Sequence, residues 1–491
     1  MPQPPTHHPE RGGPGRLAPA APGRRRRPPG RRSTAVRTVP STLPRDQAVV
    51  LGAGIGGLLA AAALTGYFAR IVVVERDLLP DEPVTRRGVP QATHVHALAV
   101  RGQMDMDALL PGFTADLAAR GFLVGDFATE VAIHNSHGWA RRFPSNLRAY
   151  GLSRTHLEWL LRRRVLAHPR VQLRQRHSVQ GLRLRGQTVE TVLARETGSD
   201  TVTELPADLV VDATGRSSRI DHWLHEAGLP IPPVTIVSSG LGYASRQYRP
   251  PGRSMGWRAC YVQPGAPHHP RGAVLMPIED DRWLVTLLGV GEHRPTHADD
   301  AFVSFAQSLH AGAIADAIAD AEPLSPVTVT ASTDNRRRHL DRLTRHPGNL
   351  ICLGDSACTF NPLYAQGMST AASGALVLAR CLDTDPRPTG FSLRYHRLLA
   401  RANQPAWQVA TTADLRWRAA AGERPGLREQ IQGRYLERVL TAATRSDTVQ
   451  AAFLEVMHLT RRPARLLSPP VLTRCVLFGA DRRRAAFGSP P

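Results

Sequence analysis

The sequence predicts an α/β protein in which a dinucleotide-binding βαβ domain is interleaved with an antiparallel-sheet substrate domain and followed by a helical C-terminal region. Three observations predict it. A glycine turn, Gly52 to Gly57, joins a short apolar run to an Ala/Leu-rich run. A second apolar run at Leu350–Leu353 leads into another glycine-bearing turn much later in the chain. Between the two, residues 231–335 carry short aromatic-bearing runs separated by Pro/Gly loops.

The elements follow in order. Residues 47–51 read as a buried strand, Leu58–Leu64 as a helix, and Ile71–Val74 as a second buried strand ending at Glu75, a compact βαβ unit. Residues 94–120 read as largely helical with a break at Pro111-Gly112. Ser153 is a good N-cap for a helix whose Leu157, Leu160, Leu161 and Val165 share one stripe. Residues 170–205 alternate as strands around a Gly186 turn, and 207–213 is another buried strand. Runs at 241–248, 257–262, 272–277 and 282–288 alternate as an antiparallel sheet would. Leu350–Leu353 returns to a buried parallel-type strand, 367–382 to an Ala-rich helix, and 391–480 is mainly helical. The expected organisation is a Pro/Arg-rich arm at 1–45, and a Rossmann-like domain at 46–230 with substrate-lobe insertions. A substrate domain at 231–335, the second part of the Rossmann-like domain at 336–390 and a helical region at 391–491 complete it.

The arm holds ten Arg against the single acid Glu10, so +9 of the formal +21 lies there. It has too little apolar surface to offset ordering and reads as disordered, an unselected or mis-started N-terminus being the plain account of it. No apolar stretch follows the arginines, as an export signal would require. The rest of the basic charge is Arg alone, since the chain has no Lys, and acids are interspersed throughout. No basic stripe or nucleic-acid module is present, and no run is long enough to span a bilayer. Cys260, Cys352, Cys358, Cys381 and Cys475 form no C-x-x-C pair, and their odd number excludes complete pairing. The expected setting is a reducing cytoplasm.

Gly52-Ala53-Gly54-Ile55-Gly56-Gly57 fits G-x-G-x-x-G. Gly52 permits the tight turn, Gly54 lets backbone approach a pyrophosphate, and Gly57 lets helix and strand pack closely. The helix N-terminus then offers unpaired N–H groups to phosphate. Glu75, at the end of the next strand, is placed to accept ribose hydroxyls. The string alone does not separate FAD from NAD. His94 and His96 read as loop or cofactor-proximal residues, with no third ligand spaced for a metal. His268 and His269 lie in a Pro-rich loop and read as solvated. Tyr243, Trp257, Tyr261, Met276 and Trp283 fit either a substrate-cavity wall or an ordinary sheet core. No G-x-S-x-G elbow appears.

Gly354-Asp355, followed by Phe360-Asn361-Pro362-Leu363-Tyr364-Ala365-Gln366-Gly367-Met368, resembles the class A flavoprotein monooxygenases, the para-hydroxybenzoate hydroxylase-like group. The resemblance runs from about 46 to 480. It implies FAD as cofactor, with Asp355 on the ribityl chain, Pro362 and Gly367 along the isoalloxazine, and the following helix, from Met368, aimed at the pyrimidine edge. Negative charge gathers there on reduction, which a helix N-terminus stabilises. Asp355 also reads as a plain helix cap. Asp212-Ala213-Thr214-Gly215 is similar to the family's D-G region with a wider spacing, and Ser153-Arg154-x-x-Leu157-Glu158 resembles its Arg near the cofactor phosphates, a bare surface Arg being the alternative. Arg76 and Arg87 join the implied cofactor set. Arg87-Gly88-Val89-Pro90-Gln91-x-x-His94-x-His96, with the 361–368 string, resembles bacterial polyether and squalene-epoxidase-like flavin epoxidases, where position 365 is usually Gly. Tyr364 joins the substrate-lining set.

The implied function is a monooxygenase in which reduced FAD and O2 give a C4a-hydroperoxide that epoxidises an alkene of a hydrophobic polyketide or terpenoid in secondary metabolism. The flavin carries the chemistry, so no catalytic side chain is assigned. NADPH, NADH or a separate reductase partner supplies electrons. An aromatic hydroxylase, a flavin reductase of isoprenoid double bonds and a non-catalytic FAD-binding protein are the alternatives. Flavin halogenases carry a W-x-W-x-I-P stretch and an essential Lys, and neither is present.

Overall fold

A computed structural model describes residues 45–384, 390–420 and 426–479, the side chains of 418–420 and 429 excepted. Apart from Arg45, the N-terminal arm lies outside the described residues. The fold is mixed α/β with a helical C-terminal region.

Its centre is a parallel sheet of five strands, in spatial order Leu350–Cys352, Leu209–Asp212, Arg45–Leu51, Phe68–Val74 and Val171–Arg174. Ala48 to Leu51 pair with Leu209 to Asp212, and Val210 to Asp212 pair in turn with Leu350 to Cys352. The strands are continuous apolar runs because helices cover both faces. Leu58, Leu59 and Leu64 of the helix Ile55–Leu64, and Ala372, Ala375 and Leu378 of the helix Gly367–Thr384, join the same buried core. Leu157, Leu160, Leu161 and Val165 lie in it as their stripe predicts, and the Ser153 hydroxyl accepts from the His156 N–H at 3.1 Å. Residues 177–206 form a separate three-stranded antiparallel sheet.

The larger antiparallel sheet is built on Leu241–Arg249, Ala259–Val262, Arg271–Ile278 and Arg282–Val290. It is extended by Val131–Asn135, which pairs parallel with Ala259–Val262. One face packs on the helices Asp299–Gln307 and Ala313–Ile318. The other faces the Rossmann-like part.

The expected helix over 94–120 is shorter. Helices span Val100–Leu109 and Phe113–Ala119, and 94–99 is irregular. Tertiary hydrogen bonds override local propensity there: the Val95 N–H donates to the Thr286 hydroxyl at 3.0 Å, and His94 Nδ1 meets Ser245 Oγ at 2.7 Å. His268 is exposed, as expected, while His269 is half-buried. Its ring lies 4.3 Å from that of His310, which lies 5.0 Å from His134. Neither His134 nitrogen has a hydrogen-bond partner. All five cysteines are free and buried. Among the described residues no helix is long and apolar enough to cross a membrane.

The long helix Phe391–Ala420 contains Pro405. Ala406 and Ala410 of this helix pack against Cys358, Phe360 and Tyr364. The segment 358–364 is thereby fixed to the C-terminal region.

Burial pushes His134 down to about 4 and His310 to about 3, in each case with neighbouring histidines adding to the effect. These groups are neutral in the fold and titrate near 6.5 when unfolded. Their contribution to stability is therefore complete above about 6.5 and is lost as pH falls from there toward 4 and 3. The unfolding midpoint is expected to drop between pH 7 and 5, and less steeply in His134→Leu, which removes one proton acceptor and two unpartnered polar atoms. Thermal unfolding across that range checks it; an unaltered slope in the variant would overturn the assignment.

Candidate active site

The turn after Arg45–Leu51 is built by sterics. Gly52 has φ +96°, and a Cβ there would stand 2.8 Å from the Ala213 carbonyl oxygen. A Cβ on Gly57 would fall 1.8 Å from the Gly52 carbonyl oxygen. Gly54 is the opposite case: nothing lies within 4 Å of where its Cβ would be. Open space thus fronts the N-terminus of Ile55–Leu64, which has no side-chain cap and no acid in its first turn. A pyrophosphate fits there, taking the free N–H groups and the positive end of the helix dipole.

Glu75 is buried at the end of the neighbouring strand. Its Oε2 accepts from the Ala53 N–H at 2.8 Å and its Oε1 from the Asp77 N–H at 3.0 Å. Beside it lies a residue that sequence reasoning missed, Arg86. The Arg86 side chain is 9% exposed, and its guanidinium reaches Asp77 at 2.8 Å, Glu158 at 2.9 Å and Glu75 at 3.5 Å. Glu158 also holds Arg154 at 2.9 Å. Burial pushes the Glu158 carboxyl up, but Arg154 and Arg86 outweigh it and hold the group below its usual range. Arg154 is therefore not a bare surface Arg. Arg76 touches the edge of this cluster, 4.0 Å from Asp77 but 58% exposed, and Arg87 is exposed. Nothing in the string Thr85-Arg86-Arg87-Gly88 tells which arginine turns inward.

Asp355 follows Gly354 on the adjacent strand end. Its carboxylate makes no hydrogen bond among the described residues, and burial pushes it up against the pull of Arg154 and Arg216. The helix Gly367–Thr384 starts beside it, a Cβ on Gly367 reaching 4.0 Å from Asp355 Oδ1. Both amide atoms of the fully buried Gln366, and the Ser369 hydroxyl, have no partner. These orphaned polar groups suit a flavin, whose ring edge and ribityl hydroxyls carry matching donors and acceptors. Gly52, Gly54, Gly57, Glu75, Arg86 and Arg154 can hold the adenosine diphosphate half, and Asp355, Pro362, Gln366 and Gly367 the flavin half. Met368 faces the main core. Ala365 has φ +53°, the left-handed region where glycine is free of strain, which explains why Gly is the usual residue there.

Next to this loop lies a cavity of about 200 Å³. Its wall includes His94 to Ala99, Tyr243, Tyr261, Met276 and Pro362 to Ala365, with Leu454, Met457 and His458 of the C-terminal region. Strand parity decides which aromatics reach it. Tyr243 pairs with Leu288 and shares the cavity face with Thr286. Trp283 alternates to the other face and packs, with Trp257, in the core under the helices. His94 is pushed down to about 4 by burial. His96 is pushed to about 3, by burial and then by Arg154, and its Nδ1–H donates to the His94 carbonyl at 2.9 Å.

Behind the cavity is a second feature that sequence reasoning missed, Asp414. It is fully buried on Phe391–Ala420. Its carboxylate accepts from Tyr364 Oη at 2.7 Å, Asn335 Nδ2 at 2.6 Å and Asn361 Nδ2 at 3.0 Å. Tyr243 donates to Asn361 Oδ1 at 3.1 Å. Burial pushes Asp414 up to about 6, against those hydrogen bonds. The signal that finds it is an acid on an apolar stripe: Ala406, Ala410 and Asp414 recur every four residues.

Comparison with known proteins matches residues 45–410 to the family described as FAD binding domain. The chain is similar to the protein Rv3254 of Mycobacterium tuberculosis, 32% identical over 88% of this chain and 94% of that one. It is 26% identical to a kynurenine 3-monooxygenase of Salinispora arenicola, over 70% of this chain and 73% of the other. The flavin-dependent brominase Bmp2 has a similar fold, with a TM-score of 0.61 and 12% identity, covering 89% of this chain and 98% of that one.

Asp355→Ala is expected to weaken FAD retention by about 1.5–3 kcal/mol through loss of a charge-assisted hydrogen bond. That is roughly 10- to 150-fold in Kd. Fluorescence titration of the apoprotein with FAD measures it; unchanged affinity would reduce Asp355 to a cap.

Proposed function

The chain belongs to the FAD binding domain family, and from that premise we propose that it is an FAD-dependent monooxygenase inserting one oxygen atom from O2 into a hydrophobic small molecule. The observation that carries the reading is the cavity, whose wall includes Pro362 to Ala365, the segment assigned by resemblance to the isoalloxazine. The similarity to kynurenine 3-monooxygenase supports it.

Bound FAD, reduced by NADPH, by NADH or by a separate reductase, supplies the activation of O2. The chain's own residues bind, orient and exclude water. The glycine turn and Glu75 fix the nucleotide end. Asp355 and the start of Gly367–Thr384 fix the ring end. Apolar side chains such as Leu98, Val124, Met276 and Leu288 surround the substrate and keep reactive oxygen from water. That wall suits a ligand recognised by shape more than by charge.

Two oxygen acceptors fit. An alkene attacks electrophilic oxygen without losing a proton, whereas a phenol ring is activated by deprotonation and needs a base. No base relay is legible within 231–335. Tyr364 and Asp414, outside that segment, make one, and this favours hydroxylation of an aromatic ring bearing a hydroxyl. Epoxidation of a polyketide or terpenoid alkene is the second reading, carried by the strings at 87–96 and 361–368.

Incubation under ¹⁸O2 with a reductant and a panel of phenols and polyenes tests both. Label in a new ring hydroxyl is the expected result. Label in an epoxide instead would move the reading to the alkene. Saturation of double bonds with no label in any product would overturn the monooxygenase reading.

A further inference from the structure

We infer that Tyr364 and Asp414 form a proton-accepting pair for a hydroxyl group of the ligand in the cavity, Tyr364 touching the ligand and Asp414 acting behind it as a positioning residue and proton store. The inference rests on the monooxygenase reading for the identity of the ligand, and on the geometry alone for the pair.

Asp414 is fully buried, and no Arg or His stands within ion-pair distance of it among the described residues. A carboxylate without a cation is costly to bury, and the cost is offset only by hydrogen bonds. Asp414 has them from Tyr364, Asn335 and Asn361, with Ser239 adjoining. The two amides cannot release a proton at ordinary pH. Tyr364 does not ionise there either, because burial and the neighbouring Asp414 push it well above its usual range, but its hydroxyl can hand one proton on as it takes another, and it is the donor that lines the cavity. Its O–H is committed to Asp414 Oδ1 at 2.7 Å, so the remaining lone pairs of its oxygen are acceptors.

A ligand hydroxyl hydrogen-bonded to that oxygen has a proton path. The ligand O–H breaks and an O–H forms on Tyr364, while the proton Tyr364 held passes to Asp414 Oδ1. The ligand gains a negative charge and Asp414 becomes neutral. No electrons are transferred and no further reactant is needed. The rest of the surroundings favour this direction. Burial raises the proton affinity of Asp414, so a proton arriving there relieves an uncompensated buried charge. Tyr243, donating to Asn361 Oδ1, and the neighbouring Tyr261 carry no charge of their own in the ordinary range, because burial pushes both upward. His94 and His96 line the same cavity, but burial pushes them down to about 4 and about 3, so both are weaker proton acceptors than Asp414, the anionic acceptor behind the wall.

Asp414 also anchors the loop, because Asn361, the cap of the turn Pro362–Tyr364, donates to it. The test must separate anchoring from proton transfer. FAD-loaded full-length protein is titrated with 4-nitrophenol, whose colour reports its own ionisation. In the unmodified protein the bound probe is expected to ionise at lower pH than free probe. In Tyr364→Phe and in Asp414→Asn its midpoint is expected to rise by about 1 pH unit or more, a tenfold change in proton affinity. Tyr364→Phe keeps the ring and the packing, so it remains informative if Asp414→Asn fails to fold. Infrared difference spectra on probe binding give a second readout. A carbonyl band of a protonated carboxyl is expected to appear together with the phenolate, and to be absent from both variants. Equal midpoints in all three proteins, or phenolate formation without the carboxyl band, would overturn the pair while leaving oxygen insertion untouched. Failure of the unmodified protein to bind the probe would overturn the claim that a phenol reaches Tyr364. Retention of the probe results alongside a failed ¹⁸O experiment would instead remove the monooxygenase reading and keep the pair.

Discussion

The parallel pairing of Arg45–Leu51, Leu209–Asp212 and Leu350–Cys352 is the constraint on which the site depends. Parallel strands end on the same side, so the turns that follow them, at Gly52, Thr214 and Gly354, converge although they are far apart in the chain. Asp212 locks the convergence. Its buried carboxylate accepts from the Thr214 N–H and hydroxyl and from Ser218 Oγ at 2.5 Å, and its carbonyl oxygen accepts from the Leu353 N–H and the Ser356 hydroxyl. The turn after Leu209–Asp212 and the turn after Leu350–Cys352 are thereby tied to one residue of the former strand. The absence of a Cβ at Gly52 lets its turn close on Ala213, so the steric requirement of the glycine and the hydrogen-bond requirement of the aspartate act on the same few ångströms.

Much of this was legible because it is local. The glycine turn, Glu75 and the Ser153 cap are each specified by a handful of neighbouring residues whose chemistry has few other uses. The buried strands at 47–51, 207–213 and 350–353 read correctly for the same reason: apolar runs with Gly or Pro close by leave little choice. The segment 94–99 read as helix because its composition permits one, and only its long-range bonds to Ser245 and Thr286 decide otherwise.

What was not legible is non-local in a specific way. Arg86 and Arg87 are adjacent and chemically identical, and the choice between them is made by Glu75, Asp77 and Glu158, which come together only in the fold. Trp283 and Tyr243 carry similar weight as aromatics in a sheet, and strand parity separates them, which requires the register and not merely the presence of strands. Asp414 is the extreme case. Its partners come from two distant segments, Asn335 from one and Asn361 with Tyr364 from the other, and only its place on the stripe of Ala406 and Ala410 hints at it in the sequence.

This division has a chemical logic. The residues that hold a cofactor meet a ligand of fixed shape, so short motifs suffice to encode them. The residues that meet a substrate must vary with it, and the cavity wall is gathered from the sheet, the loop after Phe360 and the C-terminal helices. Phe391–Ala420 joins the two classes. Ala406 and Ala410 pack on the loop that bears Pro362 and Tyr364, while Asp414, one turn further on, holds Tyr364 and Asn361 by hydrogen bonds. The small side chains set how closely the helix approaches, and the acid sets what the approach accomplishes. A change in the helix register would therefore move the loop bearing Pro362 and Tyr364 and the polar end of the cavity together. A region that sequence reading treats as a helical appendage is in this way built into the wall of the site.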